Sequence, residues 1–180
     1  MSLRSNTPLD QFPLPALLEV ASEAAFVAFR ADLIEAGYGD IRPNHGCVFR
    51  FVHEDGMRLT ELASLAGMTK QSIGEIVDDL AERGYVERVP DPADRRAKLI
   101  RLTKQGEEAQ AAALGIFAAL EKRLGKRYGS KRLADLRALL EEIVTAEAPE
   151  GARLPETARF GDRAAPNRPT EFARGRSSVG

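Results

Sequence analysis

Thr69, Lys70, Gln71 and Ser72 open a helical pattern that runs to Glu82. Their side chains suit the reading of a duplex rather than bond making. Gln pairs bidentately with adenine, Lys with guanine or phosphate, and Ser with several base edges; an acid such as Glu75 accepts from a cytosine amino group. At about 100° per residue, Ile73, Ile76, Val77 and Leu80 fall on one side of this helix. Gln71, Glu75, Asp78 and Glu82 point away from it, flanked by Lys70 and Ser72. Further on, Arg95 and Arg96 stand side by side in the segment PDPADRRA, with Lys98 close behind. Paired arginines at a hairpin tip reach into a minor groove and sense its negative potential. Asp94, two residues before Arg96, is placed to orient its guanidinium and steady the wing.

Other chemistries find little support. His45, Cys47 and His53 are close in sequence, but on a helix Cys47 lies about 200° and His53 about 80° from His45, so they do not converge on a metal. Cys47, among Val48, Phe49 and Phe51, reads as a small hydrophobe more than a redox sensor. Two His and one Cys assemble no Ser/His/Asp set, and no Gly-rich phosphate loop is present. No enzyme and no cofactor is expected.

The reading residues need elements to hold them. After Pro13 and Pro15, apolar residues recur at helical spacing from Leu17 to Ile34, ending at Gly37 and Gly39. Pro43 and Asn44 open a second helix with Val48, Phe49 and Val52, stopped near Gly56. LTELASLA forms a short third helix broken at Gly67, and Thr69 caps the fourth, KQSIGEIVDDLAER, closed by Gly84. Two strand-like runs, Tyr85 to Val89 and Lys98 to Leu102, flank a Pro- and Asp-rich turn. Thr103 caps a long helix toward Arg127. After Gly129 and Ser130 a last helix carries Leu133, Leu136, Leu139, Leu140, Ile143 and Val144. A short helix, a steep break, a second helix and a β-hairpin make a winged helix-turn-helix. The fold class is thus mainly α with a small β-hairpin wing, together with a helical dimerisation region.

Charge divides along this plan. Residues 69–82 carry one Lys against four acids, a balance of -3. Residues 83–104 carry seven basic residues against three acids, a balance of +4 in a chain whose total is -1. The basic wing favours DNA. The acidic helix keeps an alternative open: a winged-helix protein-interaction scaffold without DNA binding.

The run LTELASLAGMTKQSIGEIVDDLAERGYVERVPDPADRRAKLIRLTKQG resembles the core of the MarR-type transcriptional regulators. The resemblance lies in the LT..LA opening, the G-Y-V-x-R that follows the recognition helix, the DP-x-D-R-R-A wing and the L-T-x-x-G leading into the next helix. With the flanking helices it covers about residues 13–148, the DNA-binding core being 57–104. It implies a homodimer built by the first and last two helices. It also implies control by a small aromatic or phenolic effector. A two-fold dimer presents two equal helices, so a pseudo-palindromic operator in double-stranded DNA is expected, with the chain acting as a repressor. The resemblance carries the recognition role onto Thr69, Lys70, Gln71 and Ser72, and the wing role onto Arg95 and Arg96. A basic residue near Glu75 is common in the family, so Glu75 is a departure.

Composition sets the outer limits. One Cys excludes a disulfide framework and a Cys-rich zinc site, and suits a reduced, cytoplasmic setting. No stretch approaches the apolar length of a membrane span, so no membrane partner is expected. Residues 149–180 hold four Pro and six Arg against four acids. They read as a flexible Arg/Pro-rich tail.

Overall fold

The structure, a computed structural model, describes residues 8–53 and 55–147. The tail 149–180 lies outside the described residues. Six α-helices and a three-stranded sheet make up the described chain. They are α1 (Leu14–Glu35), α2 (Gly46–Phe51), α3 (Leu59–Ala66), α4 (Lys70–Glu82), α5 (Lys104–Tyr128) and α6 (Ser130–Glu147), with β1 (Met57–Arg58), β2 (Val86–Asp91) and β3 (Asp94–Leu102). Short 3-10 turns at Leu9–Gln11 and Pro43–His45 precede α1 and α2.

The core sits where α2, α3 and α4 meet the sheet. Val48, Val52, Leu62, Ile73, Val77, Leu80 and Ile100 are fully enclosed. On α4 the buried set is Ile73, Ile76, Val77 and Leu80, as the 3.6-residue period requires. α3 ends on Gly67, whose φ of 63° lets Met68 N–H reach the carbonyl of Ala63 and turn the chain into α4. Thr69 then caps α4, its hydroxyl oxygen accepting the Ser72 N–H at 3.1 Å.

Three boundaries depart from the sequence reading. α2 stops at Phe51, well short of Gly56, because the chain turns there to make β1, which pairs Met57 with Ile100 and Arg58 with Leu99. β1 is too short to leave a periodic signal. β3 begins four residues earlier than expected and β2 ends two residues later, leaving only Pro92 and Ala93 between them. Pro90 is tolerated because the sheet order β1-β3-β2 makes β2 an edge strand, where a missing N–H costs no ladder bond. Arg95 and Arg96 therefore lie in β3 rather than in a loop.

α1, α5 and α6 stand outside this core. α6 packs on α5 and α1 on α5, yet α1 buries only Leu33 and α6 buries nothing. Among the described residues no helix is long and apolar enough to cross a membrane.

Candidate nucleic-acid interface

At the head of α4, Thr69, Lys70 and Gln71 are exposed and Ser72 is half-buried. Two of the four are occupied locally. The Thr69 and Ser72 hydroxyls lie 2.9 Å apart, besides the cap bond from the Ser72 amide. Lys70 and Gln71 are left as the outward-reaching pair. Glu75, one turn on, accepts from Gln71 Nε2 at 3.3 Å.

Two of the three acids farther along α4, Asp78 and Asp79, are paired with arginines. Asp78 meets Arg88 of β2 at 2.6 Å. Asp79 takes a two-pronged bond from Arg83, at 3.1 and 3.0 Å, and lies 3.3 Å from Arg42. The Arg83 bond first, then the charges of Arg42 and Arg83, hold the Asp79 carboxyl below its usual range. The -3 balance is therefore largely offset by arginines outside α4, which a count within the helix misses.

Asp79 also faces His45, whose side chain is wholly buried with Nε2 2.8 Å from Asp79 Oδ2, off the ideal N–H direction. His45 Nδ1 accepts the Arg42 N–H at 3.1 Å, so the proton of the neutral ring belongs on Nε2. Burial outweighs the pull of Asp79 and lowers the His45 pKa below the ordinary value of 6.5. Beyond Arg83, Asp40 accepts the Tyr85 hydroxyl at 2.8 Å. Burial first, then Asp40, pushes that phenol up to about 12. This cluster joins the loop after α1 to α4 and to Tyr85, the residue before β2.

In the wing, Arg96 and Lys98 are exposed, and Arg95 is placed beside them in β3. Asp94 does not orient the Arg96 guanidinium, as the sequence suggested. Its Oδ1 accepts the Arg96 backbone N–H at 3.0 Å, a turn-type bond available to so short a side chain. The residue that fixes the tip is Asp91, which sequence reasoning missed. It is nearly buried, accepts the Ala93 N–H at 2.8 Å and pairs with Arg58 of β1 at 2.6 Å. The Ala93 bond first, then Arg58, lowers its carboxyl. The Arg58 partner is 33 residues away, so no local pattern announces it.

Of the rejected metal trio, His45 is taken up by Asp79. The half-buried Cys47 thiol donates to the Asn44 carbonyl at 3.1 Å, and burial pushes its pKa up. Among the described residues no group of three or more His, Cys, Asp or Glu could hold a metal ion.

The region that matches the model of the MarR family, residues 40–97, takes in the helix-turn-helix and the wing up to the first residues of β3. Over 134 residues the chain is 30% identical to the HTH-type transcriptional regulator PetP of Rhodobacter capsulatus, covering 68% of this chain and 76% of that one. The chain belongs to the MarR family. This MarR-family chain is also 29% identical over 92 residues to the transcriptional regulator HosA of Escherichia coli O111:H-, spanning 51% of this chain and 68% of HosA. The crystal structure of CouR from Rhodococcus jostii RHA1 bound to p-coumaroyl-CoA is similar in fold. It has a TM-score of 0.59 and 26% identity, over 79% of this chain and 97% of CouR. The mainly helical winged architecture of the MarR-family chain is thus the one expected from its sequence.

Proposed function

We propose that this chain is a sequence-specific DNA-binding transcriptional regulator that works in the cytoplasm as a homodimer. On this reading it represses from a pseudo-palindromic operator and responds to a small aromatic or phenolic effector. Thr69, Lys70, Gln71, Ser72 and Glu75 form the major-groove surface. Arg95, Arg96 and Lys98 form the wing surface, with Asp94 steadying the tip. The observation that carries the reading is the head of α4: capped by its own Thr69, with Lys70 and Gln71 outward and the acids Asp78 and Asp79 held by arginines. An unpaired acidic face would repel phosphates; a paired one does not. The pairing of two of the four acids weighs against the scaffold alternative. The effector class is supported by CouR, which is bound to p-coumaroyl-CoA.

The test is a titration of Gln71→Ala and Arg96→Ala on a selected operator and a scrambled duplex at several salt concentrations. Arg96→Ala is expected to weaken both duplexes and to reduce the salt slope by about one unit, since roughly 0.9 counterion is released per phosphate neutralised. Gln71→Ala is expected to cost roughly 1–3 kcal/mol on the operator alone, with the slope unchanged. Equal loss on both duplexes for Gln71→Ala would mean that Gln71 reads no base; unchanged affinities and salt slope for Arg96→Ala would mean that the wing does not touch DNA and would favour the scaffold reading.

A further inference from the structure

The hydrogen bond from Gln71 to Glu75 says more than that both are exposed. An ionised carboxylate only accepts, so the amide must turn Nε2 toward Glu75. The opposite orientation would set two acceptor oxygens against each other. One of the two Nε2 hydrogens is then committed to Glu75 at 3.3 Å. One N–H and the Oε1 acceptor remain for the groove. Among the described residues Glu75 meets this amide rather than a cation, in contrast to Asp78 and Asp79. The neighbouring hydroxyls of Thr69 and Ser72 are turned on each other.

We propose that Glu75 is a positioning residue which, by holding the Gln71 amide in one orientation, makes Gln71 read adenine and reject guanine. The inference rests on the reading that the head of α4 enters the major groove. Adenine offers an acceptor at N7 and a donor at N6, which match one N–H and one oxygen. Guanine offers two acceptors, N7 and O6, and would need two donors. A free glutamine supplies two donors by turning its NH2 group inward. Gln71 with one hydrogen given to Glu75 does not. The carboxylate, one helical turn from Gln71 and bonded to its amide, would also disfavour a base oxygen brought beside it. An acid on this face thus acts through its neighbour, without touching a base.

Selection of bound sites from a random duplex pool tests this with the full chain and its Glu75→Ala, Glu75→Gln, Gln71→Ala and doubly substituted variants. Both positions are exposed, so melting temperatures should match and folding does not confound the result. The wild type is expected to enrich a motif with one adenine in each half-site that Gln71→Ala abolishes. Glu75→Ala should admit guanine at that same position, lowering the adenine preference by roughly fivefold, the low end of what a good bidentate pairing gives. Glu75→Gln, whose amide can donate to Gln71 Oε1 as well as accept from Nε2, no longer forces one orientation and should also admit guanine, to a smaller extent than Glu75→Ala. In the Gln71→Ala background Glu75→Ala should change nothing more. An unchanged adenine preference in Glu75→Ala overturns the proposal, as does a change at a different base, which would mean direct contact by Glu75. A guanine at the position lost in Gln71→Ala also overturns it. A wild type that enriches no motif fails the DNA reading itself, and the proposal with it.

Discussion

Gly106 shows how one residue fixes the junction between wing and arm. A Cβ there would stand 2.0 Å from the Tyr85 carbonyl oxygen. The backbone comes this close because Thr103 does three things: its N–H reaches the Tyr85 carbonyl at 3.0 Å, its hydroxyl donates to the Gly84 carbonyl at 2.5 Å, and its oxygen caps the Gly106 N–H at 3.1 Å. Gly106→Ala must push the start of α5 off the sheet, and should cost about 3 kcal/mol, the upper end for overpacking. Gly67 is the contrast. Its φ is 63°, yet a Cβ there meets nothing within 4 Å, so Gly67→Ala should cost only the left-handed backbone strain, about 1 kcal/mol. Thermal melts of the two variants should rank in that order; equal losses would contradict the packing argument. His45 gives a pH dependence of a definite sign. Its pKa is lowered in the folded state by burial, so the unfolded chain takes up the proton first. Stability is then fully present above about pH 6.5 and is lost as pH falls below it. His45→Gln should flatten the melting temperature between pH 7 and pH 5. Loss to the protonation of Asp79 and Asp91, both lowered from 3.8, begins only at more acid pH. An undiminished slope in His45→Gln would assign the dependence elsewhere.

At the scale of elements, what could be read in the sequence was local. The caps of Thr69 and Thr103 and the turn at Gly67 depend on residues within five positions of one another, and the sequence shows them. The buried face of α4 follows from its period. What was not legible is held by residues distant in the chain: Arg58 with Asp91, Arg88 with Asp78, and His45 with Asp79. The same limit made the turn of the wing read as wider than it is, since Pro and Asp signal turns without revealing that β3 already pairs from Asp94. The wing's rigidity rests on this distant pairing. Asp91→Ala removes both the acceptor for the Ala93 N–H and the partner of Arg58. Asp91→Asn keeps the first and loses the charge of the second. DNA affinity should therefore fall more for Asp91→Ala than for Asp91→Asn, on operator and scrambled duplex alike, with the base preference set by α4 unchanged. Band-shift titrations decide it. A changed base preference would show that the wing and α4 do not act separately.

The whole molecule carries an imbalance that one lobe does not resolve. α1 and α5 are joined by the stack of Phe29 on Phe117, 4.2 Å between centroids, and by Arg123 with Asp32 at 2.8 Å. α6 is tied to α5 by Arg137 with Glu121 at 2.6 Å. Exposed ion pairs contribute only about 0–1 kcal/mol each, so they orient these helices more than they hold them. Meanwhile Leu14, Val27, Tyr128, Leu136, Leu139 and Val144 are each about half exposed. Apolar faces of this kind on three helices need a second layer, which on the proposed homodimer reading a second copy would supply in two-fold relation. The chain of 19.6 kDa is expected to sediment at twice its mass at micromolar concentration. Leu136→Asp with Val144→Asp should place charge in the contact and yield monomers that retain the α2–α4 core. Such monomers should lose operator binding by far more than random-duplex binding. A two-fold pair of α4 helices engages half-sites about one helical turn, roughly 10 bp, apart, and a monomer engages one. Wild-type footprints should accordingly show two protected half-sites at that spacing and the variant none at the same concentration. A wild type that sediments as a folded monomer, or a double variant that still protects both half-sites, would break the link between the apolar arm and the operator.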